Sequence, residues 1–184
     1  MNPYPGSMWA AVAELAASSE RGIIAIDGPA GSGKSTLAHN IANRFTENGR
    51  SNFTVHMDDL YNGWDDALTQ TLTNSLSTLV SAHLAGGSLV LPRYDWLASH
   101  YAEPIHAPAV DLLILEGVGS SQRAIRHQLS LSIWIECAAE MGLARVLARE
   151  PAIDSARMQE WQIREREHFE RDESKVAANI KILT

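Results

Sequence analysis

Two periodicities run through the 184-residue chain. Gly22-Ile-Ile-Ala-Ile-Asp27 and Asp111-Leu-Leu-Ile-Leu-Glu116 are short, unbroken apolar runs rich in branched side chains, the pattern of strands buried on both faces. Ser51 to Met57 and Leu131 to Glu136 read as further strands, and Ile180 to Leu183 as a last short one. Between them the spacing changes to three and four. Leu68, Leu72, Leu76, Leu79, Val80 and Leu84 share one face of a helix predicted over Asp65–Ala85, with Asp65 as its cap and Gly86-Gly87 as its stop. Other helices are predicted over 8–20, from Lys34 to Asn48, over 121–128, from Ala138 to Glu150 before Pro151, and over 154–175. Ser88 to Tyr94 reads as a short strand that Pro92 makes an edge or a bend, and 95–109 as loop. Strands alternating with helices predict a doubly wound, largely parallel α/β sheet. We expect one domain over 1–184, with an N-terminal helix in 1–21 and a lid region near 145–160.

Composition narrows the functional classes. The net charge of −7 and pI near 5.4 argue against a general nucleic-acid binder, which needs a basic face. No segment approaches the ~20 apolar residues of a membrane span. Cys137, the single cysteine, suits a reducing cytoplasm, and cytoplasmic localisation is the expectation. The seven histidines share no metal-ligand spacing.

One string carries chemistry. Gly28-Pro29-Ala30-Gly31-Ser32-Gly33-Lys34-Ser35-Thr36 fits G-x-x-x-x-G-K-[ST], and a predicted strand and helix flank it as the phosphate-binding loop requires. Its glycines let successive amides face phosphate oxygens, and the helix start adds positive potential. Lys34 is placed to reach the β and γ phosphates of a nucleotide, and the Ser35 hydroxyl to bind magnesium. Two acidic positions join it. Asp58 and Asp59 end the strand after the first helix, where ligands of open α/β sheets bind. A carboxylate there either accepts a hydroxyl proton or holds a magnesium water. Glu116 ends an apolar strand like the acid of a Walker B strand, a second magnesium ligand.

Charge distribution bears on the acceptor. Residues 51–122 hold one basic residue, Arg93, against eight acids, a balance equal to that of the whole chain. Such a segment is poorly equipped to grip an anion, so a neutral or cationic hydroxyl compound is expected. Arg145 and Arg149, four apart on one helix, are candidates to cover the transferring phosphoryl group. Later arginines show i,i+4 pairing with acids, as in Glu160–Arg164, and read as a solvated face. Tyr61, Trp64, Tyr94 and Trp96 either stack on a flat substrate or close the core. Asp95 either bonds a substrate hydroxyl or caps a turn.

The loop with Ile26-Asp27 before it, Met57-Asp58-Asp59-Leu60-Tyr61, Arg93-Tyr94-Asp95 and Leu115-Glu116-Gly117 together resemble the P-loop small-molecule kinases of the uridine kinase and phosphoribulokinase group. These pieces recur in family order and cover most of 22–150. The resemblance implies a three-layer, adenylate-kinase-like α/β/α fold with a five-stranded, mainly parallel sheet, and ATP and magnesium as cosubstrates. It implies Asp58 as the catalytic aspartate, in a stretch where Leu60 replaces a phenylalanine, and Tyr94 and Asp95 as contacts to the acceptor. Here Arg145-Val-Leu-Ala-Arg149-Glu150-Pro151 replaces an arginine-rich lid ending Arg-Asp, and little room is left for a substrate-binding hairpin.

The expected activity is therefore ATP-dependent phosphoryl transfer to a small hydroxyl acceptor, with a nucleoside as one candidate. The catalytic set is Lys34, Asp58, Arg145 and Arg149. The acceptor set is Asp59, Tyr61, Arg93, Tyr94 and Asp95, and the metal set Ser35, Asp58 and Glu116. The loop also resembles cytidylate kinases, so a monophosphate kinase is one alternative; a non-catalytic nucleotide-binding protein is another. A signalling GTPase would need Asn-Lys-x-Asp and a transporter ATPase Leu-Ser-Gly-Gly, and the sequence has neither.

Overall fold

The buried runs seen in the sequence meet in one sheet. The computed structural model describes residues 4–18 and 20–184. Residues 1–3 and 19 of the expected N-terminal helical segment lie outside them. In chain order the elements are α1 (Gly6–Ala17), β1 (Gly22–Asp27), α2 (Lys34–Glu47), β2 (Asn52–His56), α3 (Met57–Leu60), α4 (Gln70–Leu84), β3 (Leu89–Leu91), β4 (Tyr94–Asp95), β5 (His100–Tyr101) and β6 (Ile105–Ala107). Then follow β7 (Leu112–Glu116), a 3-10 turn (Arg126–Gln128), β8 (Leu131–Glu136), α5 (Ala139–Arg149), α6 (Ser155–Asp172), α7 (Ser174–Ala177) and β9 (Ile180–Leu183).

The central sheet has the order β2-β7-β1-β8-β9, and its four pairings are all parallel. Alternate residues of one strand feed opposite layers. Ile23 and Ala25 join a core with α4 and α6 residues, while Ile24 and Ile26 join a second core with Met8 and Val12 of α1 and Leu37 and Ile41 of α2. The result is the expected α/β/α sandwich. Register aligns the carboxyl ends that matter: His56 lies beside Glu116, and Glu116 beside Ile26.

Several elements differ from expectation. Asp65 does not cap α4; Thr69 does, accepting the Thr71 amide at 3.3 Å. The intervening residues fold into a turn because Asp66 accepts from Thr69 Oγ1 at 2.6 Å and Asn62 Nδ2 at 2.9 Å. Leu84 is 44% exposed, outside the apolar face. The helix expected over 121–128 shrinks to the 3-10 turn, since Ser121 is held by Asp27 and Arg126 folds back on the Ser121 carbonyl at 3.1 Å. The expected loop 95–109 contains strands: β3 pairs with β6 and β4 with β5, both antiparallel. A small hairpin is therefore present where the sequence left little room for one. The last helix is broken at Glu173, whose φ of 56° ends α6. Among the described residues no helix is long and apolar enough to cross a membrane.

Candidate active site

The phosphate loop joins the end of β1 to the start of α2. Its Gly33 caps α2 without a side-chain bond, so the amides of the first helical turn are left for a ligand. Lys34 is 8% exposed, and its Nζ donates to the Pro29 carbonyl at 2.7 Å, closing the loop over itself. Burial lowers the Lys34 pKa; Glu165, Glu116, Asp27 and Asp58, in that order, oppose the shift.

Asp27 fastens this loop to its neighbour. The side chain is 1% exposed and accepts four bonds: Gly28 N at 2.8 Å, Gly119 N at 3.0 Å, Ser121 N at 3.1 Å and Ser121 Oγ at 2.8 Å. One carboxylate thus ties the start of the phosphate loop to the segment after β7. Gly31 and Gly142 interlock on the other side. A Cβ on Gly142 would sit 2.5 Å from the Ala30 carbonyl oxygen, so only glycine lets α5 approach the loop.

Glu116 and Asp58 meet because of a second close approach. Gly117 follows β7 at φ +132°, and a Cβ there would lie 2.6 Å from Met57 Cβ. The single turn of α3 therefore packs against the end of β7. Glu116, 6% exposed, accepts from Ser35 Oγ at 3.1 Å and contacts His56 Nδ1 through the same oxygen at 2.5 Å. That contact raises the His56 pKa. Asp58 faces the cavity, where solvent reaches it, yet protein encloses it on the other sides. This desolvation and the Glu116 charge push its carboxyl up to about 6, against the pull of Lys34. Desolvation raises Asp59 too, opposed by His56 and Arg93.

A cavity of about 880 Å³ gathers the sequence-derived residues selectively. The loop residues Ala30, Gly31 and Gly33 to Thr36 line it, as do Asp58, Asp59, Glu116, Arg145 and Arg149. Arg145 reaches back to the Gly31 carbonyl at 3.2 Å, and Arg149 pairs with Glu150 at 2.6 Å. Arg93, Tyr94 and Asp95 are not on the wall. Asp95 caps a turn, accepting the Leu97 and Ala98 amides at 2.9 Å each. Tyr94 packs edge-on against Trp96 and Tyr101. Tyr61 touches the cavity but is 1% exposed, its hydroxyl fixed on the Val118 carbonyl at 2.7 Å, so it closes the core.

Other residues form the far wall. Trp64 meets Trp96 at 5.2 Å and Trp161 at 5.8 Å, edge to face, and Arg157 lies over the Trp64 ring at 5.9 Å. The segment 150–154 and the first turns of α6 complete the enclosure. Arg149 and Arg157 thus bring guanidinium groups to a cavity whose middle-segment wall is acidic. Arg164 does not pair with Glu160 as its spacing suggests; it bonds Asp65 at 2.8 Å. Trp161 and Glu165 escaped the sequence reading, although Met158, Trp161, Glu165 and His168 recur at helical spacing and form the buried side of α6.

Sheet order, phosphate loop and facing acids define a P-loop NTPase fold. The comparisons agree with it. Residues 6–62 match the NB-ARC domain family. A possible uridine kinase from Bacillus stearothermophilus superposes with a TM-score of 0.63 at 18% identity, over 96% of this chain and 99% of that one. A proposed fructose transport system kinase from Silicibacter sp. TM1040 superposes with a TM-score of 0.74 at 18% identity, over 95% and 97%. No curated protein matches the chain.

Proposed function

We propose that the protein transfers the γ-phosphoryl group of ATP to a hydroxyl of a small neutral acceptor. The observation that carries this reading is one cavity lined by the phosphate loop, Glu116 and Asp58 together, with further room bounded by tryptophans. Asp58 takes the proton of the acceptor hydroxyl as its oxygen bonds to the γ phosphorus. The bond from that phosphorus to the β,γ-bridging oxygen breaks, and ADP leaves with the electron pair. Lys34 turns from the Pro29 carbonyl to the phosphates, and Arg149 covers the charge spread over the transferring group. Ser35 and Glu116 are adjacent hard oxygen donors, a fit for magnesium, which keeps several of its own waters. Those two residues, with Asp58 beside them, would hold the ion, whose chemistry there is neutralising phosphate charge. Positioning supplies most of the acceleration.

A second reading, transfer to a nucleoside monophosphate, is favoured by Arg149 and Arg157 on the cavity wall. An ADP-release screen over nucleosides, sugars, vitamins and monophosphates separates the two. Release stimulated by an uncharged alcohol supports the first reading, and release fastest with CMP the second. ATP binding without stimulated release by any acceptor would overturn both and favour a nucleotide-binding protein without transferase activity.

A further inference from the structure

The scheme above leaves a buried carboxylate on α6 unused. Glu165, on α6, is 3% exposed, and its Oε2 accepts the amide of Ala30, inside the phosphate loop, at 3.0 Å. A helix 135 residues downstream thus holds one of the loop's amides. The groups facing this carboxylate are Lys34 from α2, Asp27 from β1, Tyr61 after α3 and Trp161 one turn earlier on α6. Lys34 is the attractive charge among them and Asp27 the repulsive one. Burial and Asp27 outweigh Lys34 and the two hydrogen bonds, and hold the carboxyl up at about 7.

Nucleotide entry changes this balance in one direction. Lys34 now neutralises Glu165 more than any other carboxylate while bonding its own loop carbonyl. A triphosphate recruits that ammonium and adds several negative charges beside the Ala30 amide. Glu165 then loses its counter-cation and gains like-charged neighbours, in a place water does not reach. The neutral acid keeps an oxygen to accept the Ala30 N–H and acquires an O–H donor. We propose that Glu165 positions the phosphate loop through the Ala30 amide and takes up one proton from solvent when a triphosphate enters. This rests on the nucleotide-binding reading given above. The proton comes from buffer and bonds to a Glu165 carboxylate oxygen; no electrons are exchanged.

Calorimetry tests it directly. A non-hydrolysable ATP analogue with magnesium is titrated into the full chain at pH about 8, where an ordinary carboxylate is ionised. Two buffers of different ionisation enthalpy report the protons taken up. Wild type is expected to take up close to one proton per nucleotide, and its affinity to weaken towards tenfold per pH unit above about 7. Glu165→Gln, checked for an unchanged far-UV circular dichroism spectrum, should bind without that uptake and with a flat pH profile. Equal uptake in both proteins, or none in wild type, overturns the proposal while leaving nucleotide binding intact. Absence of binding heat in wild type in both buffers, with no protection from thermal unfolding, overturns the nucleotide reading itself. Should Glu165→Gln fail to fold, the wild-type enthalpies decide: no uptake refutes the proposal, and uptake with a midpoint near 7 supports it.

Discussion

The indole N–H of Trp96 donates to the backbone carbonyl of Asp58 across 3.2 Å. The Tyr101 hydroxyl does the same for Leu60 at 3.1 Å. The short hairpin of β4 and β5 therefore braces the one-turn helix bearing the proposed base, although its Tyr94 and Asp95 stay off the cavity wall. Trp96→Phe keeps an aromatic side chain, though a smaller one, and deletes the donor. Losing one such bond is worth about 1 kcal/mol, or roughly fivefold in rate if it acts wholly on the transition state. We expect kcat to fall by about that factor with nucleotide affinity unchanged, as measured by steady-state kinetics beside equilibrium binding.

Asp58→Asn should lower turnover by a factor on the order of 10² to 10⁴ while sparing nucleotide binding. In wild type the base must be ionised, so activity should rise through pH about 6 and level off above it. The stability effect has the opposite sign. A carboxyl whose folded pKa lies above its unfolded value stabilises fully only below the unfolded pKa, and that contribution vanishes as pH rises through the folded one. The asparagine variant should therefore melt above wild type at neutral pH, with the gap closing as pH falls through about 6 towards about 4. Thermal melts at several pH values check this, and a variant less stable than wild type at pH 7 would contradict it.

Gly142→Ala tests the interlock between α5 and the loop. The added methyl meets the Ala30 carbonyl at 2.5 Å, and backbone has to move. Overpacking of this sort costs about 1–3 kcal/mol. We expect that loss in urea titrations, together with weaker ATP binding, because the displaced segment is the proposed phosphate grip.

Asp27→Asn separates a structural acid from the proposed catalytic ones. The amide leaves one oxygen where two now serve four donors, and its own NH₂ faces N–H or O–H groups. Buried donors without acceptors cost about 1–3 kcal/mol each. A stability loss of roughly 2–4 kcal/mol is expected on that basis. Measured against it, a substitution with no effect on the urea midpoint would remove Asp27 from the scaffold.

The strands and the phosphate loop are legible in the sequence because their signals are local. Ile23 to Ile26 and Leu112 to Leu115 are apolar without interruption, and the loop is a contiguous string whose spacing carries its geometry. The acid at Asp58 is legible for the same reason, in a contiguous Met-Asp-Asp-Leu-Tyr string just past a strand, although it stands in the single turn of α3 and not on the strand itself. What escaped depends on contacts between distant segments. Asp27 reads as a strand terminus, and nothing next to it announces Gly119 and Ser121, more than ninety positions away. Glu165 lies among Arg164, Arg166 and Glu167, so the charged surroundings hide its place on the same face as Trp161. Its signal was the i,i+4 step from Trp161, a helical stripe in which one acid replaces an apolar residue. Arg93, Tyr94 and Asp95 resemble a kinase string, but Tyr94 and Asp95 stand in a two-residue ladder and none of the three lines the cavity, and backbone pairing so short leaves no pattern to detect.

Trp161 and Glu165 are successive turns of one rod, the first against the tryptophan wall and the second against the amide of Ala30. Any rotation of that rod to admit a bulkier guest at one end must drag the proposed nucleotide grip at the other. Enlarging the aromatic chamber by substitutions on α6 would thus retune donor binding at the same time, whereas changes on the opposing hairpin leave the grip alone. Redesign of guest selectivity should begin from Leu97, since Trp96 also braces Asp58.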